Sequence, residues 1–221
     1  MKVINQMRRE IFAGLAAILL LLVACSGEES LGPDTDNFDR RAMLVHWADE
    51  IIVPSFSAFA EQTASLESAA GEFVDDPSVT TLAGVREAWE EAYIGFQWVS
   101  MFEIGPAMEV GGGTGSTFRD FLNLYPTDTA ETDDSDDSDI EFVVGEGSWN
   151  LELPSMRDHQ GFPALDYLLY GLADSDEELL AIYLSGSNAD DWKAYLNDLA
   201  FRIHQLASTV RDGWTDGYRD Q

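Results

Sequence analysis

A single carboxylate stands inside one of the most apolar stretches of the chain. Residues 161–171 read GFPALDYLLYG, and an acid set among Leu165, Leu168 and Leu169 has to be paired, ligated or put to use, because burying a lone charge is costly. Two explanations of Asp166 stay open on residue types alone. With Pro163 at the first helical position, Asp166 closes the first turn, where free amides and the helix dipole favour a negative group. Alternatively it is a functional acid. Arg157, just upstream of the segment, is a candidate counter-ion for it. Competing with that role is a loop salt bridge for Arg157.

Other side chains with chemical potential are sparser. His46 and Asp49 lie three apart on a helical stretch, so they share a face and form a weak candidate metal pair; with no third ligand in view, a surface pair is favoured. His159 and His204 stand alone and are read as structural. No Ser/His/Asp or Cys/His arrangement can be assembled. The loop GGGTGS at 111–116 lacks the lysine of a phosphate-binding GxxxxGK[ST] loop. The acidic run ETDDSDDSDIE at 131–141 fails the spacing of a calcium loop, which needs a glycine at the sixth position and a glutamate at the twelfth, so a solvated insertion is expected there.

The elements that must position these residues are helical. Leu44, Trp47, Ile51, Phe56, Phe59 and Leu66 form a stripe from Phe38 to about Val74, which shifts phase near Pro54 and predicts a kink there rather than a break. A second long helix is predicted from an Asp76 cap and Pro77 to Gly105-Pro106, with Leu82, Val85, Trp89, Tyr93, Phe96 and Val99 on one side. TFRDFLNL predicts a short helix. From Pro163 onward come PALDYLLYGLA, a helix capped by Asp174 or Ser175, and a long helix capped by Asn188. The six tryptophans are expected in the core. Strand signals are scarce, so the fold class is all-α: an antiparallel helical bundle with long loops.

Composition limits the partners. The 221 residues are 45% hydrophobic and 11% aromatic, enough for a sizeable core, and 12 Lys and Arg stand against 41 Asp and Glu for a net charge of −29. Such a surface repels nucleic acid and anionic lipid. The amino end places the chain at a membrane by another route. Lys2, Arg8 and Arg9 precede the apolar IFAGLAAILLLLV, and LVAC at 22–25 is similar to a bacterial lipobox, in which Cys25 is diacylated and becomes the first mature residue. Residues 1–24 are thus expected to be a lipoprotein signal peptide, and 25–37 a flexible tether. The folded domain follows at 38–221. Cleavage before Cys25 removes three basic residues and one acidic one, making the mature chain more acidic still. With Cys25 as the single cysteine, a disulfide framework is excluded.

The segments HWADEIIVPSFSAF, REAWEEAYIGFQWVSMFEIGP, YPTDT and GFPALDYLLYG, in this order and spacing, resemble imelysin-like proteins, helical envelope proteins also classed as M75 peptidases. In many members the last segment is GxHxxE, whose histidine and glutamate could hold a metal on one helix face. Here Gly161 keeps the glycine, Asp166 replaces the glutamate and Pro163 stands in place of the histidine. The resemblance also implies a candidate binding role near the same site for Glu103, in FEIGP, which matches a polar position of the family; a solvated helix end competes with it. The resemblance implies an imelysin-like bundle of two related halves with the functional site between them, longer than this chain, so that 38–221 would be incomplete at its C-terminus. It also implies a lipid-anchored ligand- or partner-binding module at the outer membrane or periplasmic face, in the setting of iron or haem uptake. The cofactors in question are a divalent metal at Asp166 or an iron or haem ligand. A metallopeptidase is the first alternative, opposed by Pro163. A structural or adhesion lipoprotein that meets cationic partners through its acidic surface is the second.

Overall fold

The computed structural model describes residues 38–129 and 139–220. Cys25, the tether and most of the acidic run lie outside the described residues. No strand occurs among those described, in keeping with the expected all-α class.

Two long helices and a third antiparallel to the first make the frame. Helix α1, Arg40–Trp47, passes through a π-helical turn, Ala48–Ile52, into α2, Val53–Asp75. Pro54 explains the change of register: it has no amide to donate to the turn before it, and the chain takes up the lost bond by widening that turn. The inserted register also corrects the predicted stripe. Phe56, Phe59 and Leu66 are buried as expected, but Leu44, Trp47 and Ile51 are exposed, and Ala48 and Ile52 take the inward positions.

A short connection leads to α3, Val79–Val99. Its cap is Ser78 rather than Asp76. The Ser78 hydroxyl accepts the Thr81 amide at 3.2 Å, and Thr81 Oγ1 in return accepts the Ser78 amide at 3.0 Å, a reciprocal box that fixes the helix start. The helix ends at Val99, before the predicted Gly105-Pro106 stop. Four small elements follow: α4, Pro106–Glu109; α5, Phe118–Leu122; α6, Ile140–Gly145; and a 3-10 turn, Pro154–His159. Helix α7, Gly161–Asp166, continues as a second π turn, Tyr167–Gly171. Helix α8 spans Asp176–Ser185, capped by Ser175, and α9 spans Ala189–Thr215.

Helix α9 runs antiparallel to α2. The end of α2 at Val74 and Asp75 shares a surface depression with Asp190 and Lys193, and Thr63 Oγ1 meets His204 Nδ1 at 3.1 Å in the middle. Ile52 lies by Trp214 at the far end. Rings stitch the smaller helices to this frame. Phe59 contacts Phe96, Phe118 and Phe162, and Phe96 contacts Phe118 and Phe162, at centroid distances of 5.6 to 6.3 Å. Phe162 therefore carries α7 into the centre of the core. Tryptophan burial is mixed: Trp214 is buried, while Trp47 and Trp98 are exposed, contrary to the expectation of six core indoles.

Candidate functional site

Gly161 sets where Asp166 goes. Its φ is +81°, and a Cβ there would stand 2.4 Å from the Leu122 carbonyl oxygen and 2.7 Å from that of Phe121, so only glycine lets α7 approach the end of α5 this closely. Helix α7 starts at Gly161, which puts Pro163 third, among the amides that have no intrahelical acceptor, and the ring costs no hydrogen bond. Asp166 is then the sixth and last residue of the helix. That position overturns the first-turn explanation: the free amides and the dipole are a turn behind it.

The π turn after Asp166 leaves carbonyls that need donors, and three side chains supply them to this segment. Arg86 gives Nε and Nη2 to the Leu169 carbonyl at 3.0 and 2.6 Å, the Tyr183 hydroxyl meets that of Leu168 at 2.8 Å, and Trp89 Nε1 meets that of Phe162 at 3.2 Å. Arg86 also pairs with Asp176 at 2.8 Å and lies 4.4 Å above the Tyr170 ring. Tyr93 stacks between Trp89 and Phe96. The backbone around Asp166 is pinned from α3 and α8, and π turns of this kind recur at functional sites.

Asp166 itself is half-buried, and burial raises its carboxyl above the ordinary aspartate range. Its neighbours are phenols. Tyr125 is pushed up to about 12, first by desolvation of its phenol, then by a side-chain hydrogen bond with Tyr93, with a further contribution from the charge of Asp166. Tyr170 is raised by burial, pulled back by Arg86, and raised again by the charges of Asp166, Glu90 and Asp176. Tyr93, Tyr125 and Tyr170 thus form a phenolic rim near one carboxylate. None of the three was singled out from sequence as a site residue, although YPTDT and the helical position of Tyr93 both lay in motifs already noted.

The other expected members are elsewhere. Arg157 is not the counter-ion of Asp166: its Nε is held by the Pro154 carbonyl at 2.8 Å, and its Nη1 gives a 3.3 Å bond to the buried Ser116 hydroxyl. That contact explains the 111–116 loop, which closes as tight turns delivering Ser116 inward. Glu103 accepts the Thr117 hydroxyl at 2.9 Å and the Arg119 amide at 2.8 Å, and so fastens the start of α5. Pro163 is buried beneath the segment. His46 is exposed, and the Asp49 carboxylate is engaged by the Arg219 guanidinium at the rim of a cleft of about 650 Å³ lined by Leu44, Trp47 and Trp214. His204 is satisfied by Thr63 and Ser208.

The motif metal can be tested on donors. Proline offers no side-chain donor in place of the histidine, and among the described residues Asp166 joins no group of three His, Cys, Asp or Glu ligands. The donor set at the motif does not fit a metallopeptidase ion. The group of that kind among the described residues is Asp128, Asp158 and His159. Here His159 is not the solitary histidine expected: its Nδ1 lies 2.8 Å from Asp158 Oδ1 and its Nε2 lies 3.6 Å from Asp128 Oδ2. Asp158 is the preceding residue, but Asp128 comes from a distant segment, and neither partner was read from the sequence.

Comparison with known proteins adds a family. The family model Peptidase_M75, described as imelysin, matches residues 52–221. None of the curated proteins matches the chain.

Proposed function

Because the chain belongs to the imelysin family, we propose that it is a ligand-binding module of the bacterial cell envelope, with Asp166 and the phenols of Tyr93, Tyr125 and Tyr170 as its binding face. One observation carries this reading: a half-buried carboxylate whose burial raises its pKa and with which no Lys, Arg or His among the described residues forms an ion pair. Such a group costs stability in the free protein and becomes favourable when a ligand supplies a positive centre or a hydrogen-bond donor. The carboxylate would meet that centre, while the phenols orient it by hydrogen bonding. Oxygen donors of this type suit hard cations, and tyrosine is among the ligands of haem iron. The iron- or haem-uptake setting implied by the family resemblance is the context we favour, with the domain held at the membrane by lipid on Cys25.

The test is titration of the purified protein with two probes, haemin and ferric nitrilotriacetate, read by absorbance and by tryptophan fluorescence. Saturable binding of one of them should weaken roughly tenfold or more in Asp166→Ala, the loss expected for one charge-assisted contact, with folding judged by circular dichroism. Equal affinity in wild type and variant, or no saturable binding of either probe, contradicts the proposal.

A further inference from the structure

We propose that the cleft between α1 and the end of α9 binds a small amphipathic anion, an acyl carboxylate, with its chain against Trp47 and Trp214 and its head on the Arg41 guanidinium. The site shares no residue with the Asp166 face and goes beyond the function proposed above.

The walls come from the way the long helices begin and end. The widened turn at Ala48–Ile52 sends Leu44 and Trp47 outward, where both stay exposed, while Ile52 goes in. The same cleft is lined by Ile104, just after α3, and by Trp214 and Tyr218 at the carboxyl end of α9. A glycine seats the tyrosine. The φ of Gly105 is +54°, and a Cβ there would fall 2.4 Å from the Tyr218 ring, so the missing side chain is what lets the ring close this wall. That ring meets Trp214 edge-on, with centroids 4.8 Å apart. The cleft so formed measures about 650 Å³, within the span of ordinary ligand sites, about 300–1,000 Å³. Exposed apolar side chains gathered around a concavity mark a binding site in a way that scattered ones do not.

The charges decide what kind of ligand fits. Arg41, Asp49, Arg219 and Asp220 line the cleft, so it is electrically balanced in a chain whose net charge is −29. Asp49 is engaged by Arg219, and Asp220 adds its field to the same guanidinium. Arg41 is left over. Among the described residues it forms no ion pair, whereas Arg86, Arg119, Lys193, Arg211 and Arg219 each face a carboxylate. In so acidic a chain, a guanidinium left unclaimed beside apolar surface is placed for a carboxylate that the protein does not itself supply. Trp214 adds a second unmet donor: the residue is 4% exposed, and its indole N–H has no acceptor among the described residues. A cationic ligand would leave both donors unmet. An acyl carboxylate brings acceptor oxygens and an apolar tail together.

The experiment compares decanoate with decanol, which has the same chain and no charge, by calorimetric titration of the full chain in about 0.15 M salt, where distant acids are screened beyond about 8 Å. If apolar burial alone governed, the alcohol would bind better, and the net charge of the chain also opposes the anion. The expected result is one equivalent of decanoate, bound more tightly than decanol. Arg41→Gln, a change at an exposed position, should weaken decanoate about fivefold or more and erase that preference. Trp47→Ala should weaken both ligands, and Asp166→Ala should affect neither. Decanol binding as tightly as decanoate to the wild type, a comparison that needs no variant, overturns the proposal. So does undiminished decanoate affinity in folded Arg41→Gln, or a loss that follows Asp166 instead. Absence of saturable decanoate binding, with dimers in sedimentation that Trp47→Ala dissociates, would assign the cleft to a second copy of the chain and overturn it equally.

Discussion

Replacing Gly161 with alanine should be among the most damaging single-methyl changes in the domain. Two costs act together. The +81° φ puts an alanine in the left-handed region, worth about 1–2 kcal/mol. The added Cβ would also lie 2.4 Å from Leu122 O and 2.6 Å from Leu122 C, backbone atoms that cannot swing aside as a side chain would; overpacking of this kind costs about 1–3 kcal/mol. The sum is about 2–5 kcal/mol. At about 2–4 °C per kcal/mol for a domain of this size, the midpoint should fall by about 4–20 °C. Gly112→Ala is the matched control: φ is +59°, but nothing lies within 4 Å of its Cβ, so only the backbone cost applies. Thermal unfolding of both variants, followed by circular dichroism, reads the difference. A loss in Gly161→Ala no greater than in Gly112→Ala would refute the close approach of α7 to α5 on which the placement of Asp166 depends.

Asp166→Asn should stabilise the protein at neutral pH. Burial raises the folded-state pKa of Asp166 above its unfolded value, so the native state holds the extra proton between the two values and stability falls as pH rises through that window. Each unit of separation is worth about 1.4 kcal/mol. Urea unfolding across the acid range should show the wild-type decline reduced in the variant; an unchanged slope contradicts it. Arg86→Lys should cost about 1–3 kcal/mol, because one ammonium cannot both fork onto Leu169 O and lie flat over Tyr170; denaturant titration checks this, and a neutral result would mean that the π turn holds without its donor. Cys25→Ala should abolish incorporation of a palmitate analogue and release the protein from the membrane fraction on expression in bacteria, whereas continued membrane retention would contradict lipid anchoring.

Helix existence was readable because period-3.6 stripes survive whatever the chain does at its ends: Phe56, Phe59 and Leu66 are inside as the spacing requires. Phase was not readable. The π turn at 48–52 exchanges Ile51 for Ile52 as the inward residue, and no residue type announces a widened turn except, indirectly, Pro54. Caps failed where two candidates stood side by side, Asp76 and Ser78, because reciprocity with Thr81 decides between them and depends on geometry. At the site, Asp166 itself was legible as a carboxylate in the wrong company. Its surroundings were not. Arg157 is four residues from α7 yet turns to Ser116, and the phenols near Asp166 come from α3, from the cis-proline segment Tyr125-Pro126 and from the turn after α7, brought together by tertiary packing alone. The same applies to Asp128 and His159, which a hydrogen bond from the Asp128 amide to the Asp158 carbonyl brings together without any periodic signal.

The most direct measurement is the ionisation of Asp166 followed by carboxyl-carbon NMR, with the resonance assigned by its loss in Asp166→Asn. A midpoint above that of an ordinary aspartate in the free protein, moving downward when a cationic ligand binds, is the predicted result. A midpoint at or below the ordinary value would mean that the carboxylate is already hydrated or paired, and the binding face proposed around it would be contradicted.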